Sequence, residues 1–293
     1  MPWTPVAYAE HTCLKASTIT MTGMTMRYDV AGTGPTLVLV HGIVHRRQAW
    51  NSVVDLLTPY RTVVTVDLLG HGESPALDMS GPDLLEQVVD ALSALVAEFE
   101  TPDSRVHIAG NSLGGWLALA LACRGRVASA TALSPAGFFV NDRDRRRAIG
   151  TFQVLRSLTR GMGDHAPKLL SYKAVRYPAI SAFFAHPSRV SYDDAVVDAA
   201  SLLSNTLVDK GLDATFELPV AAEPRVPITI AWGRRDLVLP IYQMARAKKN
   251  LPHARFITVP GVGHVPMTDN PELIASILLS GSEPPAVASG STG

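Results

Sequence analysis

The distribution of apolar residues along the chain follows two alternating periods. Short continuous apolar runs such as Thr36–Val40 predict strands that are buried on both faces of a parallel sheet. Longer stretches with an apolar residue every three or four positions, such as residues 82–99, predict amphipathic helices. The remaining predicted elements are a β-hairpin over 17–30 that turns near Thr22-Gly23, strands at 61–66, 105–109, 127–133, 226–231 and 255–259, and helices at 48–57, after residue 112 to about 123, at 241–250 and from Pro271. This alternation predicts an α/β fold with a parallel sheet and right-handed crossovers.

The alternation stops between about residues 138 and 219. This segment shows helical patches broken by Gly and Pro, and it holds six of the eight Phe residues. We therefore expect a helical cap of residues 138–219 over a core formed by residues 17–137 and 220–279. The alternative is a separate helical domain with an unrelated function. Residues 280–293 are rich in Gly, Ser, Pro and Ala and are predicted to form a disordered tail.

Composition narrows the possible partners. The 26 basic and 26 acidic residues balance, so no global field attracts nucleic acid or an acidic membrane surface. No apolar run approaches the length of a membrane span, and the first residues lack a secretory apolar core. The two cysteines, Cys13 and Cys123, are expected to be buried small apolar residues. A cytoplasmic protein with a small-molecule substrate is the expectation, while the oligomeric state stays open.

A strand that turns abruptly into a helix is predicted around Ser112. The sequence Gly110-Asn-Ser112-Leu-Gly114 joins an apolar run to an Ala/Leu-rich helix. Small residues are needed two positions before and after the centre of such a turn, because larger side chains would collide there. The turn holds Ser112 in a strained conformation beside backbone N–H groups at the helix N-terminus. This arrangement is typical of a nucleophilic serine.

Chemically active side chains follow several predicted strands at their carboxyl ends. In open α/β sheets these ends form one edge, where working residues collect. His41, Asp67, Ser112, Asp236 and His264 each lie just after a strand. The order Ser, Asp, His is the order that the α/β-hydrolase architecture requires.

From about Thr18 to Leu279 the chain resembles the α/β-hydrolase superfamily, in particular its members with a cap after the sixth strand. Five local signatures carry the resemblance: His41-Gly42, Asp67-x-x-Gly70-His71-Gly72-x-Ser74, Gly110-Asn-Ser112-Leu-Gly114, Gly233-x-x-Asp236 and Gly263-His264. The resemblance implies a mostly parallel eight-stranded sheet with helices on both faces and a helical cap inserted after strand 6.

The resemblance also implies a Ser-His-Asp mechanism. Ser112 would attack a carbonyl, His264 would transfer the proton, and Asp236 would orient the imidazole and stabilise its protonated form. The backbone N–H groups of Leu113 and Ile43 would form the oxyanion hole, with Val44 as the alternative to Ile43.

Other residues compete for these roles. His71 is the strongest rival base, whereas His41 is expected to brace the oxyanion turn and His107 to pack. Asp142 or Asp144, after the sixth strand, is the alternative to Asp236 as the acid, since some relatives place the acid there. Asp67 is expected to fix a turn. The arginines that follow the sixth strand, Arg143, Arg145, Arg146 and Arg147, are interpreted as a solvated helix face, with binding of an anionic substrate as the alternative.

The favoured function is hydrolysis of a small to medium, largely apolar carboxylic ester. A serine at the elbow excludes the related haloalkane dehalogenases and epoxide hydrolases, which place Asp there. The Gly-Asn-Ser-x-Gly-Gly elbow also resembles that of carbon–carbon hydrolases for ring-fission dienoates, which typically have an aromatic residue soon after the histidine and a cap arginine. Here Val265 follows His264, although Arg176 or Arg189 remains a candidate for that arginine.

Thioester or lactone hydrolysis, and a receptor-like protein with little turnover, complete the alternatives. Four residues are predicted to contact substrate: Trp116, Phe138, Phe139 and Val265. No metal or organic cofactor is predicted, because the glycines at 110–115 surround a serine and no metal-ligand spacing appears.

Overall fold

The computed structural model describes residues 15–21, 24–78, 83–205 and 226–283, together with residues 80, 207, 216 and 218. Cys13, the predicted turn at residues 22–23 and residues 284–293 of the predicted tail lie outside this part of the chain. So do most residues between 206 and 225, where the predicted cap ends.

A single twisted sheet forms the centre of the molecule. Its strands are β1 (Lys15–Met21), β2 (Met24–Ala31), β3 (Thr36–Val40), β4 (Thr62–Val66), β5 (His107–Asn111), β6 (Ser129–Leu133), β7 (Ile228–Gly233) and β8 (Arg255–Val259). They lie in the order β1-β2-β4-β3-β5-β6-β7-β8. Strands β3 to β8 run parallel, β2 joins them antiparallel to β4, and β1 pairs with β2 at the outer edge. The prediction of a mostly parallel sheet is confirmed.

Apolar side chains of several helices pack against this sheet. The helices are α1 (Asn51–Leu57), α2 (Leu84–Glu98), α3 (Leu113–Cys123), α4 (Asp142–Met162), α5 (Ala166–Ser171), α6 (Lys173–Ile180), α7 (Tyr192–Ser204), α8 (Met244–Asn250), α9 (Pro266–Asp269) and α10 (Pro271–Gly281). One apolar cluster contains the buried faces of α2 and α3, and a second contains those of α1 and α10. None of the described helices combines the length and apolar composition required to span a bilayer.

Within the described part of the chain, helices α4 to α7 lie between β6 and β7. We call residues 142–204 the inserted helical segment. Its buried side chains include the apolar Phe152, Leu170 and Leu202 as well as the charged Arg156 and Arg176. Its helices pack on one another, with α4 and α5 each in contact with α7.

Two local predictions differ from the structure. Helix α10 continues to Gly281, past the predicted start of the tail at residue 280, because its apolar face stays buried through Leu278. Cys123 is half-buried at the end of α3 rather than fully enclosed, and burial raises the pKa of its thiol.

Candidate functional site

Ser112 lies at the sharp turn between β5 and α3. Its backbone has φ 55° and ψ −114°, a combination that non-glycine residues rarely adopt. The conformation is held by three backbone hydrogen bonds: the Ser112 N–H donates to the carbonyl of Leu133 (3.0 Å), and its carbonyl accepts from Trp116 (3.1 Å) and Ala136 (3.0 Å). Strain of this kind persists only where the surrounding structure fixes it, and it is concentrated at functional sites.

The two glycines of the elbow are required by close backbone packing. A Cβ on Gly110 would lie 2.1 Å from the carbonyl oxygen of Gly114. A Cβ on Gly114 would lie 2.1 Å from the carbonyl oxygen of Val40, at the end of the neighbouring strand. The sequence requirement for small residues around Ser112 therefore has a direct steric cause.

Asp236 and His264 meet at the same edge of the sheet. The Nδ1–H of His264 donates to Oδ2 of Asp236 at 2.8 Å, and both residues are buried, with 2% and 4% of their surfaces exposed. The other carboxylate oxygen, Oδ1, accepts the backbone N–H groups of Val238 (2.9 Å) and Leu239 (2.8 Å). These bonds fix the orientation of the carboxylate and leave Nε2 of His264 directed away from Asp236.

Asn111 connects the elbow to the loop that carries His264. Its Nδ2 donates to the backbone carbonyl of His264 at 2.8 Å and to that of Leu133 at 3.1 Å. The residue immediately before Ser112 is thus bonded to His264 itself. The structure therefore brings the elbow and the Asp236–His264 pair together.

The turn after β3 lies against Ser112. A Cβ on Gly42 would be 3.1 Å from Cβ of Ser112, which is tighter than most Cβ contacts, so the glycine allows the turn to lie close to Ser112. Ile43 shares a cavity with Ser112 and Leu113. Leu113 is the first residue of α3, where an N–H has no partner within the helix. Val44 follows with φ 61° and is buried.

His41 braces this turn. Its Nδ1–H donates to the carbonyl of Gly42 (2.7 Å), and its Nε2 accepts the N–H of Leu68 (3.1 Å). Complete burial lowers the pKa of His41 to about 3, so the ring is neutral near neutral pH. Both ring nitrogens are occupied, which leaves the side chain a structural role.

Ser112 lines an apolar cavity with about 560 Å³ of empty space, a volume that includes open solvent at its mouth. Its described lining consists of Ile43, Leu85, Ser112, Leu113, Ala136, Phe139, Ala148, Ile149, Phe152, Leu207, Phe216, Val238 and Leu239. Ser112 supplies the single polar side chain among these residues. Core and inserted helical segment both contribute to the wall.

Comparison with known proteins agrees with this architecture. The sequence model of the Alpha/beta hydrolase family matches residues 37–277. The chain belongs to this family.

Individual proteins are similar to this chain over most of their length. A pimeloyl-[acyl-carrier protein] methyl ester esterase of Xanthomonas campestris pv. campestris is 30% identical over 278 residues, which cover 86% of this chain and 97% of that protein. A thermophilic esterase from Thermogutta terrifontis superposes with a TM-score of 0.67 at 20% identity, covering 91% of this chain and 97% of that one. A 2-hydroxy-6-oxo-6-phenylhexa-2,4-dienoate hydrolase from a Rhodococcus species superposes with a TM-score of 0.69 at 19% identity, covering 91% and 98%. These two structural likenesses show the fold alone.

In this α/β hydrolase only one of the four residues predicted to contact substrate lines the cavity. Phe139 does so. Trp116 packs edge-on against Phe216 (5.5 Å between ring centroids), and Phe138 packs against Trp232 (6.4 Å). Val265 belongs to the apolar cluster on the other side of the sheet. Proximity in sequence to the elbow or to His264 did not determine which way these three side chains point.

The rival histidines have other partners. Nδ1 of His71 donates to the carbonyl of Leu69 (3.1 Å), and burial lowers the pKa of His71 to about 3. His107 bonds to Oγ of Ser129 at 2.8 Å within the core, and burial lowers its pKa to about 4. These bonds go to a backbone carbonyl and to a hydroxyl, whereas Nδ1 of His264 bonds to a carboxylate.

The rival acids are also accounted for. Asp144 is buried at the start of α4, where it accepts bonds from the Tyr242 hydroxyl and from Nε2 of Gln243 (2.8 Å). Asp142 is exposed. Asp67 fixes the loop after β4 by accepting the N–H groups of Arg47 (2.6 Å) and Glu73 (3.0 Å), as expected for a turn-forming residue.

The arginines considered for substrate binding lie elsewhere. Nη1 of Arg176 donates to the carbonyl of Leu170 (2.8 Å), and Nη1 of Arg189 donates to that of Asp269 (2.5 Å). Neither belongs to the described cavity lining. In the basic run, Arg143, Arg146 and Arg147 are exposed, in keeping with a solvated helix face.

Sequence reasoning missed the polar contacts that join the site to the inserted helical segment. Arg46, two residues after Val44, pairs with Asp198 (2.9 Å) and Asp194 (3.3 Å) of α7. Asp269, five residues after His264, accepts backbone N–H groups from both the His264 loop and the segment. In the sequence, the contact made by Asp269 was indicated only by the presence of a carboxylate a few residues after Gly263-His264.

Proposed function

We propose that this α/β hydrolase is a serine esterase that cleaves small to medium, largely apolar carboxylic esters through an acyl-enzyme. The observation that carries the proposal is the cavity around Ser112, whose described lining is otherwise apolar. Transfer of an acyl chain from water to such a wall is favourable by roughly 0.8 kcal/mol for each buried CH₂ group. The site would therefore select substrates by their hydrocarbon part.

The proposed roles follow the geometry of the buried pair. Ser112 attacks the ester carbonyl while Nε2 of His264 accepts its proton. His264 then passes this proton to the departing alcohol, and Asp236 stabilises the transient imidazolium through the 2.8 Å bond to Nδ1. A water molecule activated by the same histidine releases the acid.

Oxyanion stabilisation is assigned to the N–H groups of Leu113 and Ile43. The N–H of Leu113 lies at the N-terminus of α3, where the helix dipole also favours negative charge. Ile43 is preferred over Val44 because Ile43 borders the cavity beside Ser112. Loss of one such donor typically costs about 2.7–4 kcal/mol of barrier.

The inserted helical segment is proposed to act as the cap. Ala148, Ile149 and Phe152 of α4 form part of the cavity wall opposite the core residues. The domain division into a core of 17–137 and 220–279 and a cap of 138–219 is retained as part of this proposal.

Ester cleavage is preferred over carbon–carbon cleavage for a structural reason. A ring-fission dienoate carries a carboxylate, and a buried carboxylate requires a charged or strongly polar partner. The described lining offers none, and Arg176 and Arg189 bond to backbone carbonyls instead. The 30% identical relative is named as a methyl ester esterase, which also favours the ester.

The proposal is tested by turnover and covalent labelling. A fluorophosphonate should label the wild-type protein at Ser112, and p-nitrophenyl esters from acetate to palmitate should be hydrolysed with a preference for short to medium chains. Ser112→Ala should abolish both signals, with a loss on the order of 10⁴-fold or more. Ser276→Ala, which removes an exposed hydroxyl on α10, is the matched control and should retain activity.

Two results would overturn the proposal. A folded wild-type protein that neither labels nor hydrolyses any ester would point to a binding protein. A higher kcat/KM for a vinylogous diketone than for butyrate esters would favour carbon–carbon hydrolysis.

A further inference from the structure

Asp269 is a buried carboxylate whose partners are backbone N–H groups from two separate parts of the chain. It is 2% exposed and lies at the end of α9. Its Oδ2 accepts the N–H groups of Gly263 (2.7 Å) and Ala185 (2.9 Å), and its Oδ1 accepts the N–H of His186 (2.8 Å). One side chain thus joins the peptide that precedes His264 to the inserted helical segment.

A second set of hydrogen bonds crosses the same junction, and here the inserted helical segment supplies the acceptor. The carbonyl of Phe183 accepts the N–H groups of His264 (2.8 Å) and Val265 (3.0 Å). The Phe183 ring also lies 6.3 Å from the His264 ring, measured between centroids. A Cβ on Gly263 would come within 2.7 Å of the Phe183 carbonyl oxygen, so the two backbones are in tight contact. The peptides on both sides of His264 are therefore held by this junction.

The junction depends on the charge and the shape of Asp269. A buried carboxylate is tolerated when its oxygens accept several hydrogen bonds, and bonds to a charged acceptor are about twice as strong as neutral ones. Three N–H groups converge on two oxygens, so both oxygens are needed as acceptors. An amide in the same place would turn an NH₂ group towards at least one N–H donor.

We infer that Asp269 is a positioning residue for His264. It fixes the Gly263–His264 peptide against the inserted helical segment and so keeps Nε2 of His264 in line with both Ser112 and the leaving group. This inference rests on the proposed esterase function, in which His264 must first accept a proton and then deliver it. Asp236 sets the tautomer of the ring, and Asp269 sets the position of the backbone that carries it.

A misplaced base has a signature that a loss of stability lacks. A methoxide leaving group is strongly basic and departs only when His264 delivers a proton to it, whereas p-nitrophenolate departs without one. General acid catalysis of this kind contributes about 10²–10⁴-fold. Movement of His264 should therefore reduce kcat/KM for methyl butyrate far more than for p-nitrophenyl butyrate.

The test compares Asp269→Asn and Asp269→Glu with the wild-type protein. Glu272→Gln, a nearby exposed carboxylate on α10, is the matched control and should match the wild type. We expect Asp269→Asn to lower kcat/KM for the methyl ester by at least about tenfold more than for the p-nitrophenyl ester. Asp269→Glu keeps both acceptor oxygens but displaces them by one methylene. It should therefore change the ratio of the two kcat/KM values in the same direction by a smaller factor. If Asp269→Asn does not fold, Asp269→Glu alone provides the test.

The outcomes separate the inference from the function on which it rests. Equal losses for the two esters in the folded variants would show a purely structural role and overturn the inference, while the esterase function would stand. Absence of ester turnover and of labelling in the wild-type protein would instead overturn the function itself.

Discussion

The substitution Asp236→Asn makes a sharp prediction because the carboxylate has two unlike sides. Its Oδ1 faces two N–H donors, those of Val238 (2.9 Å) and Leu239 (2.8 Å). An asparagine in this place must keep its single carbonyl oxygen on that side, because the other orientation sets an NH₂ group against both donors. The NH₂ group then faces Nδ1 of His264, where Oδ2 accepted a proton at 2.8 Å.

The consequence is the wrong tautomer of His264. Nδ1 becomes an acceptor, so the ring proton moves to Nε2, which can no longer accept the proton of Ser112. Such a tautomer change in a serine triad costs about 10⁴-fold in rate, equivalent to roughly 5.4 kcal/mol of barrier. Stability should change little in comparison, because both backbone hydrogen bonds and the side-chain volume are kept.

The assay is kcat/KM for p-nitrophenyl butyrate together with the rate of fluorophosphonate labelling at Ser112. Both should fall by about 10⁴-fold in Asp236→Asn. Asp142→Asn is the matched control, since Asp142 is exposed and follows the sixth strand as the rival acid would. Retention of more than a tenth of the wild-type activity in Asp236→Asn would refute the assignment of Asp236, and a comparable loss in Asp142→Asn would point to the rival.

Two predictions concern stability. Burial lowers the pKa of His107 to about 4. When the pH is lowered from 7.5 to 5.5, the unfolded chain therefore binds a proton at this residue that the folded chain does not. The free energy of unfolding falls as a result. The measurement is urea unfolding at both pH values, where His107→Asn should reduce this fall in unfolding free energy by about 1 kcal/mol. An unchanged pH dependence in His107→Asn would contradict the lowered pKa. Gly114→Ala should cost about 3 kcal/mol or more, because its Cβ meets the Val40 carbonyl at 2.1 Å, whereas Gly150→Ala, on α4 with open space around it, should stabilise by about 0.5–1 kcal/mol. Similar effects of both substitutions would contradict the steric argument.

The sequence was informative wherever local patterns decide the structure. Apolar runs located the parallel strands to within about two residues, because strands buried on both faces of a parallel sheet are nearly continuous apolar runs. The edge at which those strands end then predicted that Ser112, Asp236 and His264 would meet. The elbow glycines were predictable for the same reason, since their constraint lies within a few residues of Ser112.

The cavity wall was not predictable in this way. Trp116 lies four residues after Ser112, one helical turn along α3, yet its ring packs on Phe216. Ile149, by contrast, is 37 positions away from Ser112 in the numbering and still lines the cavity. Which side chains line it depends on how α4 packs over the sheet, and that is decided by tertiary contacts rather than by periodicity.

The inserted helical segment is attached to both sides of the candidate site. Near the predicted oxyanion turn, Arg46 pairs with Asp198 at 2.9 Å. Burial opposes ionisation of Asp198, but His45 and Arg46 outweigh it and lower the pKa of this carboxylate. Near His264, the carbonyl of Phe183 and the carboxylate of Asp269 hold the other contact. Both attachments are shielded from solvent, since the side chains of Arg46 and Asp198 are only 9% and 24% exposed and Asp269 is 2% exposed. Because the segment that carries Phe152 is fixed on both sides of Ser112, we expect the side chains on α4 to limit acyl length more than any movement of the segment does.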